Sequence, residues 1–382
     1  MPAQYFVEVF HSDRDDWATE LADSIASEVI ALGVHKSVLV DVTNTSSVGG
    51  PAVGVYLGSP ASVTDPRILA ELGNALSLGR TIIPVVESLA NFAALVPPDL
   101  APLNGWEWSG SGPAIRLARR LLEELGVEDR RRRVFIGHKR EDGLVAAQQL
   151  HDFLSHNGFE PFIDRFGIGI GLDVQNEIAD ALEDCAFLLL VETPLAHTSD
   201  WVFDEVEYAL SHQMGMHIVT WPGTVSEIPA TNRLPRQVLD SSDLTNEKGY
   251  DVFTDDSLEA ILAEVEAAHA NAIVRRRRYL LRSAEDAARA AGFECTPMEG
   301  WRLLVEAPAG QSLVQVSARL PTVEDLHGLD NARLIGGAVD MPGVLVHSAR
   351  VLDEERRSEL DWAVGTRDLT LIPENAIGGY WT

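Results

Sequence analysis

The chain has 382 residues, 46% apolar and 23% charged, enough for more than one globular core. Its net charge of −28 makes strong overall nucleic-acid binding an unfavoured function, and no run approaches the roughly 18 apolar residues that cross a bilayer. Two cysteines, Cys185 and Cys295, lie far apart in or beside apolar runs, which argues against a disulfide framework or a Cys-based zinc site and fits a reducing compartment.

The first residues, MPAQYFVEVFHSDRDD, lack the basic start and long apolar core of a secretory leader. A cytoplasmic protein without a membrane partner is expected. From VEVF (7–10) onward, short strand patterns alternate with longer helical ones. A helix and a second strand precede AVGVYLG (52–58). SPASVTDPRILAELGNAL (59–76), RTIIPVV (80–86) and a closing helix, AIRLARRLLEELG (114–126), follow. The basic run Arg130–Arg133 then reads either as linker charge at a domain boundary or as a patch for a nucleotide or nucleic acid.

The pattern then repeats. VFIGHKRED (134–142) matches VEVFHSDRDD around His138 and His11, and TPLAHTSDWVFDEVEYAL (193–210) aligns without a gap with 59–76. AFLLLVE precedes the second segment, HIVTW follows it, and LEAILAEVEAAHA (258–270) closes the copy. Strand–helix alternation of this kind predicts two right-handed, parallel-sheet α/β domains of flavodoxin-like type. An uninterrupted strand such as FLLLV should be buried on both faces. The second copy alone has FIDRFGIGIGLDVQNEIADALED (162–184), a Gly-rich loop leading into a helix; the first has only VDVTNTSSVGGP (40–51) and has lost that helix. Domains are therefore placed at 1–128 and 129–271.

Residues 272–382 follow another order. After the basic run Arg275–Arg278, which like Arg130–Arg133 reads either as linker charge at a domain boundary or as a patch for a nucleotide or nucleic acid, a helix over SAEDAARAAG precedes the strands RLLVEA and SLVQVSA. A helix over TVEDLHGLDNARLI, the strand GVLVHS, a helix over EERRSELDWAV and the strand LTLI complete a small α/β domain.

Ligands of open parallel sheets gather at the carboxyl ends of the strands. In the second copy those loops hold Gly137, His138 and Lys139, the segment Arg165–Asp173, and Thr193–Trp201. Glu205 follows Trp201 by four residues, on the same helix face, while Val202, Val206, Ala209 and Leu210 supply the apolar stripe. A carboxylate in the first turns of a helix is also compatible with a purely solvated role. Trp201 reads equally as a stacking surface or a helix anchor, and His138 and Lys139 as phosphate contacts or as locally bonded loop residues. The glycines of 167–171 do not form a dinucleotide fingerprint. No His/Asp/Glu spacing suggests a metal, and neither metal nor cofactor is expected.

FIGHKRED, PFIDRFGIGIG, ETPLAHTSDWVFDE and IVTW, in that order across 133–270, resemble the successive motifs of the TIR (Toll/interleukin-1 receptor) family. Phe135–His138 match its first-strand box, Phe162 and Asp164 its second-strand pair, Arg165–Gly171 its assembly loop, and Ser199, Trp201 and Glu205 its Ser-x-Trp-Cys-x-x-Glu motif. Gly137 stands where Ser is common and Val202 where Cys is common. The resemblance implies NAD+ as substrate and cleavage of its nicotinamide–ribose bond. Glu205 would be the catalytic residue, with Gly137, His138, Lys139, Arg165, Phe166, Ser199 and Trp201 around the substrate. It further implies self-association through TIR domains, a nucleotide or protein trigger, and a role as an oligomerisation-activated effector of bacterial antiviral defence. A non-catalytic TIR adaptor and an NAD cyclase are the alternatives. The first copy, with Glu71 aligned to Glu205 but Arg67 at the Trp position, resembles a degenerate TIR domain. The C-terminal segment loosely resembles PD-(D/E)xK nucleases, with Gln315 and Ser317 where that family needs Glu and Lys, which implies an inactive nuclease-like domain.

Overall fold

The computed structural model describes residues 4–32, 39–45, 51–110, 112–127, 132–163, 174–224, 228–247, 249–298, 300–308, 310–335, 341–365 and 367–381. The chain packs as two compact units, Met1–Arg131 with Leu258–Asn271, and Arg132–Ser257 with Ala272–Thr382.

In the first unit the elements run β1 (Gln4–Phe10), α1 (Asp15–Leu32), β2 (Leu39–Thr43), β3 (Ala52–Leu57), α2 (Pro66–Ser77), β4 (Thr81–Val86), α3 (Phe92–Leu95), β5 (Trp106–Glu107) and α4 (Pro113–Leu125). The sheet order is β2-β1-β3-β4-β5, every pair parallel. This is the flavodoxin-like order, whose switch point lies between β1 and β3. Sequence explains the boundaries. Asp65 caps α2 by accepting from the Arg67 and Ile68 amides just ahead of Pro66. Gly126 ends α4 in a left-handed conformation, φ 72°, that a side chain would resist.

The second unit repeats the arrangement with β6 (Arg132–His138), α5 (Arg140–His156), β7 (Phe159–Phe162), α6 (Val174–Cys185), β8 (Phe187–Glu192), α7 (Asp200–Ser211), β9 (Gly215–Thr220) and β10 (Arg236–Val238). Its order, β10-β9-β8-β6-β7, is the same one read from the opposite edge. β8 is buried at every position, as expected of a central parallel strand. The strand registers also correspond: Phe10 lies opposite Tyr56, and the aligned Gly137 lies opposite Leu190. After a hairpin, β11 (Leu244–Glu247) and β12 (Tyr250–Phe253), comes α8 (Asp255–Ala290). The last sheet contains β13 (Glu294–Met298), β14 (Arg302–Ala307), β15 (Gly310–Val316), β16 (Gly343–His347) and β17 (Leu369–Pro373), in that spatial order. Its first two pairings are antiparallel and its last two parallel. α9 (Val323–Ile335) and α10 (Glu354–Val364) make the crossovers, and α11 (Ile377–Tyr380) ends the chain.

Three local readings change. The second repeat's closing helix and SAEDAARAAG are parts of one 36-residue helix, α8, and Leu258–Asn271 groups with the first unit. The run Arg275–Arg278 is therefore helical rather than linker. Arg276 is buried and paired with Glu374 at 2.8 Å, because an Arg stem can line apolar surface while its head finds a carboxylate. Arg132, in the other basic run, is buried in β6 and donates to the Asn157 and Gly158 carbonyls. The sequence reading also missed β13. ECTPM is mostly exposed and contains Pro297, which only an edge strand accommodates.

Candidate functional site

The second unit's switch point lies between β6 and β8, where the two chains of crossovers diverge. β6 ends there in Gly137-His138, and β8 in Glu192 followed by Thr193-Pro194. α7 begins at Ser199, whose hydroxyl accepts from the Val202 amide and so fixes the first turn. One turn on, Glu205 is not beside the buried face of α7 but part of it, with Val202, Val206 and Ala209. Leu210 is only partly buried.

Glu205 is 3% exposed. Its carboxylate lies against the backbone of Gly137: a Cβ added to Gly137 would come within 2.7 Å of Glu205 Oε2. Leu188 and Leu190 bound the same space from β8. The glycine is thus what admits a carboxylate to the end of β6. In the first unit the equivalent of Gly137 is Phe10, a fully buried ring packed with Ile68 and Leu72 of α2. Glu71, the equivalent of Glu205, is partly exposed.

His138 is buried at the end of β6, its Nδ1 3.4 Å from the Ile136 carbonyl oxygen. Lys139 is the N-cap of α5, with Nζ 3.6 Å from Glu141. Trp201 packs, partly buried, against the cluster containing Val202, Val206 and Ile218, which is the anchoring role. Gly137, His138 and Glu205 therefore converge at one strand end; Ser199 and Trp201 set the helix that delivers the carboxylate. Arg165 and Phe166, with Asp164 and the remaining loop through Asp173, lie outside the described residues. A surface cleft of about 750 Å³ runs along edge strand β7 and α6, lined by Arg133, Phe159, Phe162, Glu177 and Asp180; among the described residues, no sequence-predicted site residue lines it.

Two supporting residues escaped the sequence reading. Asp142, in the first turn of α5, accepts from the Thr193 hydroxyl at 2.7 Å and the Leu195 amide at 2.9 Å, tying the loops after β6 and β8 together. Glu192 is completely buried and accepts from Thr220 Oγ1 at 2.8 Å, the Ile228 amide at 3.1 Å and Arg236 at 2.9 Å. Saturation of this kind offsets the cost of burying a carboxylate. The available signal was a charge closing the apolar run FLLLV directly before Thr-Pro. Among the described residues no group of three or more His, Cys, Asp or Glu could hold a metal ion.

What these elements define is a parallel, doubly wound α/β domain with a carboxylate at its switch point. More specifically, residues 134–262 match the family model described as TIR domain. No curated protein matches. A solved structure described as a LacI transcriptional regulator from Bacteroides fragilis aligns at 11% identity, covering 59% of this chain and 79% of its own, with a TM-score of 0.18. So low a score carries no argument about fold or function.

Proposed function

We propose that residues 134–262 form an NAD+ glycohydrolase with Glu205 as its catalytic carboxylate. The observation that carries this reading is Glu205 held against Gly137 at the switch point of a TIR domain. Cleavage of the nicotinamide–ribose bond develops an oxocarbenium-like centre at the ribose, as in glycoside hydrolysis. Nicotinamide departs neutral from a cationic ring, so departure needs no general acid. A carboxylate beside the ribose stabilises the developing cation, and water adds at the anomeric carbon with loss of a proton. ADP-ribose, nicotinamide and H+ are the products.

At 3% exposure Glu205 cannot touch substrate until the groups over it move. That requirement fits the family expectation that neighbouring TIR domains assemble, through the loop containing Arg165–Gly171, before catalysis. His138 and Lys139 would meet the phosphates. In this reading the chain is an assembly-activated effector, with antiviral defence as the role the family suggests. The first unit is a TIR-like relative without a site, since Phe10 fills the space that Gly137 leaves open. The last sheet is nuclease-like and inactive: Gln315 accepts from Arg302 and donates to the Asp325 carbonyl, and neither it nor Ser317 offers a carboxylate for Mg²⁺.

The same burial of Glu205 favours, as a second reading, an adaptor that only docks to other TIR surfaces. Chromatography after incubating concentrated protein with NAD+ separates them. Nicotinamide release supports the enzyme, and ADP-ribose rather than a cyclic product supports hydrolysis. Glu205→Gln should lower turnover at least roughly 100-fold, the loss of about 3 kcal/mol of electrostatic stabilisation. Turnover close to wild type would remove Glu205 from this role.

A further inference from the structure

α6 is gripped by two arginines from the segment after β16, all within the second compact unit. Arg350, following β16, places Nε 2.7 Å from Asp180 of α6. One helical turn on, Arg356 of α10 forks onto Asp184, its two terminal nitrogens 2.6 and 2.8 Å from the two carboxylate oxygens. Both hydrogen bonds and opposite charge hold such a pair, and the bidentate geometry fixes orientation as well as distance. The Asp184 contact also raises the Arg356 guanidinium above its ordinary range.

Between these two pairs lies Glu183, 2% exposed. It accepts from the Tyr208 hydroxyl of α7 at 3.2 Å, which joins α6 to the helix carrying Glu205, one turn from that residue. The Arg276 charge and the Ser348 side chain also act on Glu183. Burial nevertheless pushes the Glu183 carboxyl up. Nearby, Nδ1 of His347 and Oε2 of Glu374 are buried with no hydrogen-bond partner among the described residues. The interface thus has strong ion pairs at its rim and an under-satisfied polar centre. Incomplete buried networks hold a surface together less firmly than an apolar core would.

We propose that Arg350 and Arg356 form an intramolecular clasp in which the last sheet restrains α6 and α7, and with them the buried Glu205, and that opening it is the activating step. The activating part rests on the NAD-cleaving reading above. The clasp itself does not.

The test uses the full chain carrying Arg350→Ala with Arg356→Ala. Hydrogen exchange of the amides at 174–185 should accelerate at least tenfold. Nicotinamide release at low protein concentration should rise at least tenfold over wild type, and adding Glu205→Gln should abolish the gain. Each single variant, which keeps one of the two pairs, should exchange more slowly than the double variant, and an unchanged far-ultraviolet circular dichroism spectrum in all three separates loss of the pairs from general misfolding. Unchanged exchange at 174–185 overturns the clasp. Accelerated exchange with release no higher than wild type overturns its activating role. If exchange accelerates but no protein releases nicotinamide at any concentration, the clasp stands and the NAD reading falls.

Discussion

A single hydrogen atom in place of a side chain decides what the end of β6 can hold. In the sequence Gly137 is only a departure from the serine common in the TIR family; in the structure it lies against the Glu205 carboxylate. Gly137→Ala should therefore displace that carboxylate or push β6 and α7 apart. Overpacking of this kind costs about 1–3 kcal/mol, readable as a lowered urea midpoint, together with a fall in any nicotinamide release. His217 offers a second test at this scale. It is buried in β9 with both ring nitrogens lacking a partner among the described residues, and burial pushes its pKa down to about 4. The native state keeps the ring neutral, whereas the unfolded chain takes up a proton near pH 6.5. Stability is complete above that pH and is lost as pH falls toward 4, by at most about 3 kcal/mol from this group. Urea titrations at several pH values should show that loss, and His217→Leu should flatten it.

At the scale of elements, the repeat was legible because strand and helix periodicities alternate cleanly, and both flavodoxin-like sheet orders follow from them. What was not legible has physical causes. β13 is a short edge strand, so its apolar alternation is nearly absent. α8 was broken at its arginines, yet Arg276 buries its stem and head against Glu374, which no local pattern reveals. The candidate carboxylate was legible by spacing and resemblance, whereas its support was not: Glu192 and Arg236 are 44 residues apart in sequence. That pair ties the end of β8 to β10 and to the loop after β9. Glu192→Ala should leave Arg236 without its buried partner and cost about 3–5 kcal/mol. Combining it with Arg236→Met should recover part of the loss, measured as a double-mutant cycle in chemical denaturation.

For the whole molecule, the surplus of negative charge sets the response to salt. With 58 acidic against 30 basic side chains, the compact state pays for self-repulsion that the expanded chain relieves. Raising ionic strength from about 0.01 to about 0.15 M shortens the screening length from about 30 to about 8 Å. The thermal midpoint should rise over that range, and scanning calorimetry in a salt series would detect it; a flat or falling midpoint would mean that local ion pairs outweigh the net repulsion.

Because Leu258–Asn271 packs with the first unit, that unit is incomplete when its own sheet has been translated. Tyr5 donates to Glu266, and Ala270 packs against Gly126, so the first unit needs a segment that leaves the ribosome about 130 residues after Arg131. At about 5–20 residues per second that is a wait of roughly 6–25 s. During it, the nascent N-terminal sheet has an apolar flank without its helix, while the intervening segment of the second unit is already emerging. The N-terminal unit, first to be translated, is for that reason among the last to be finished, and holding chaperones have a defined interval in which to act.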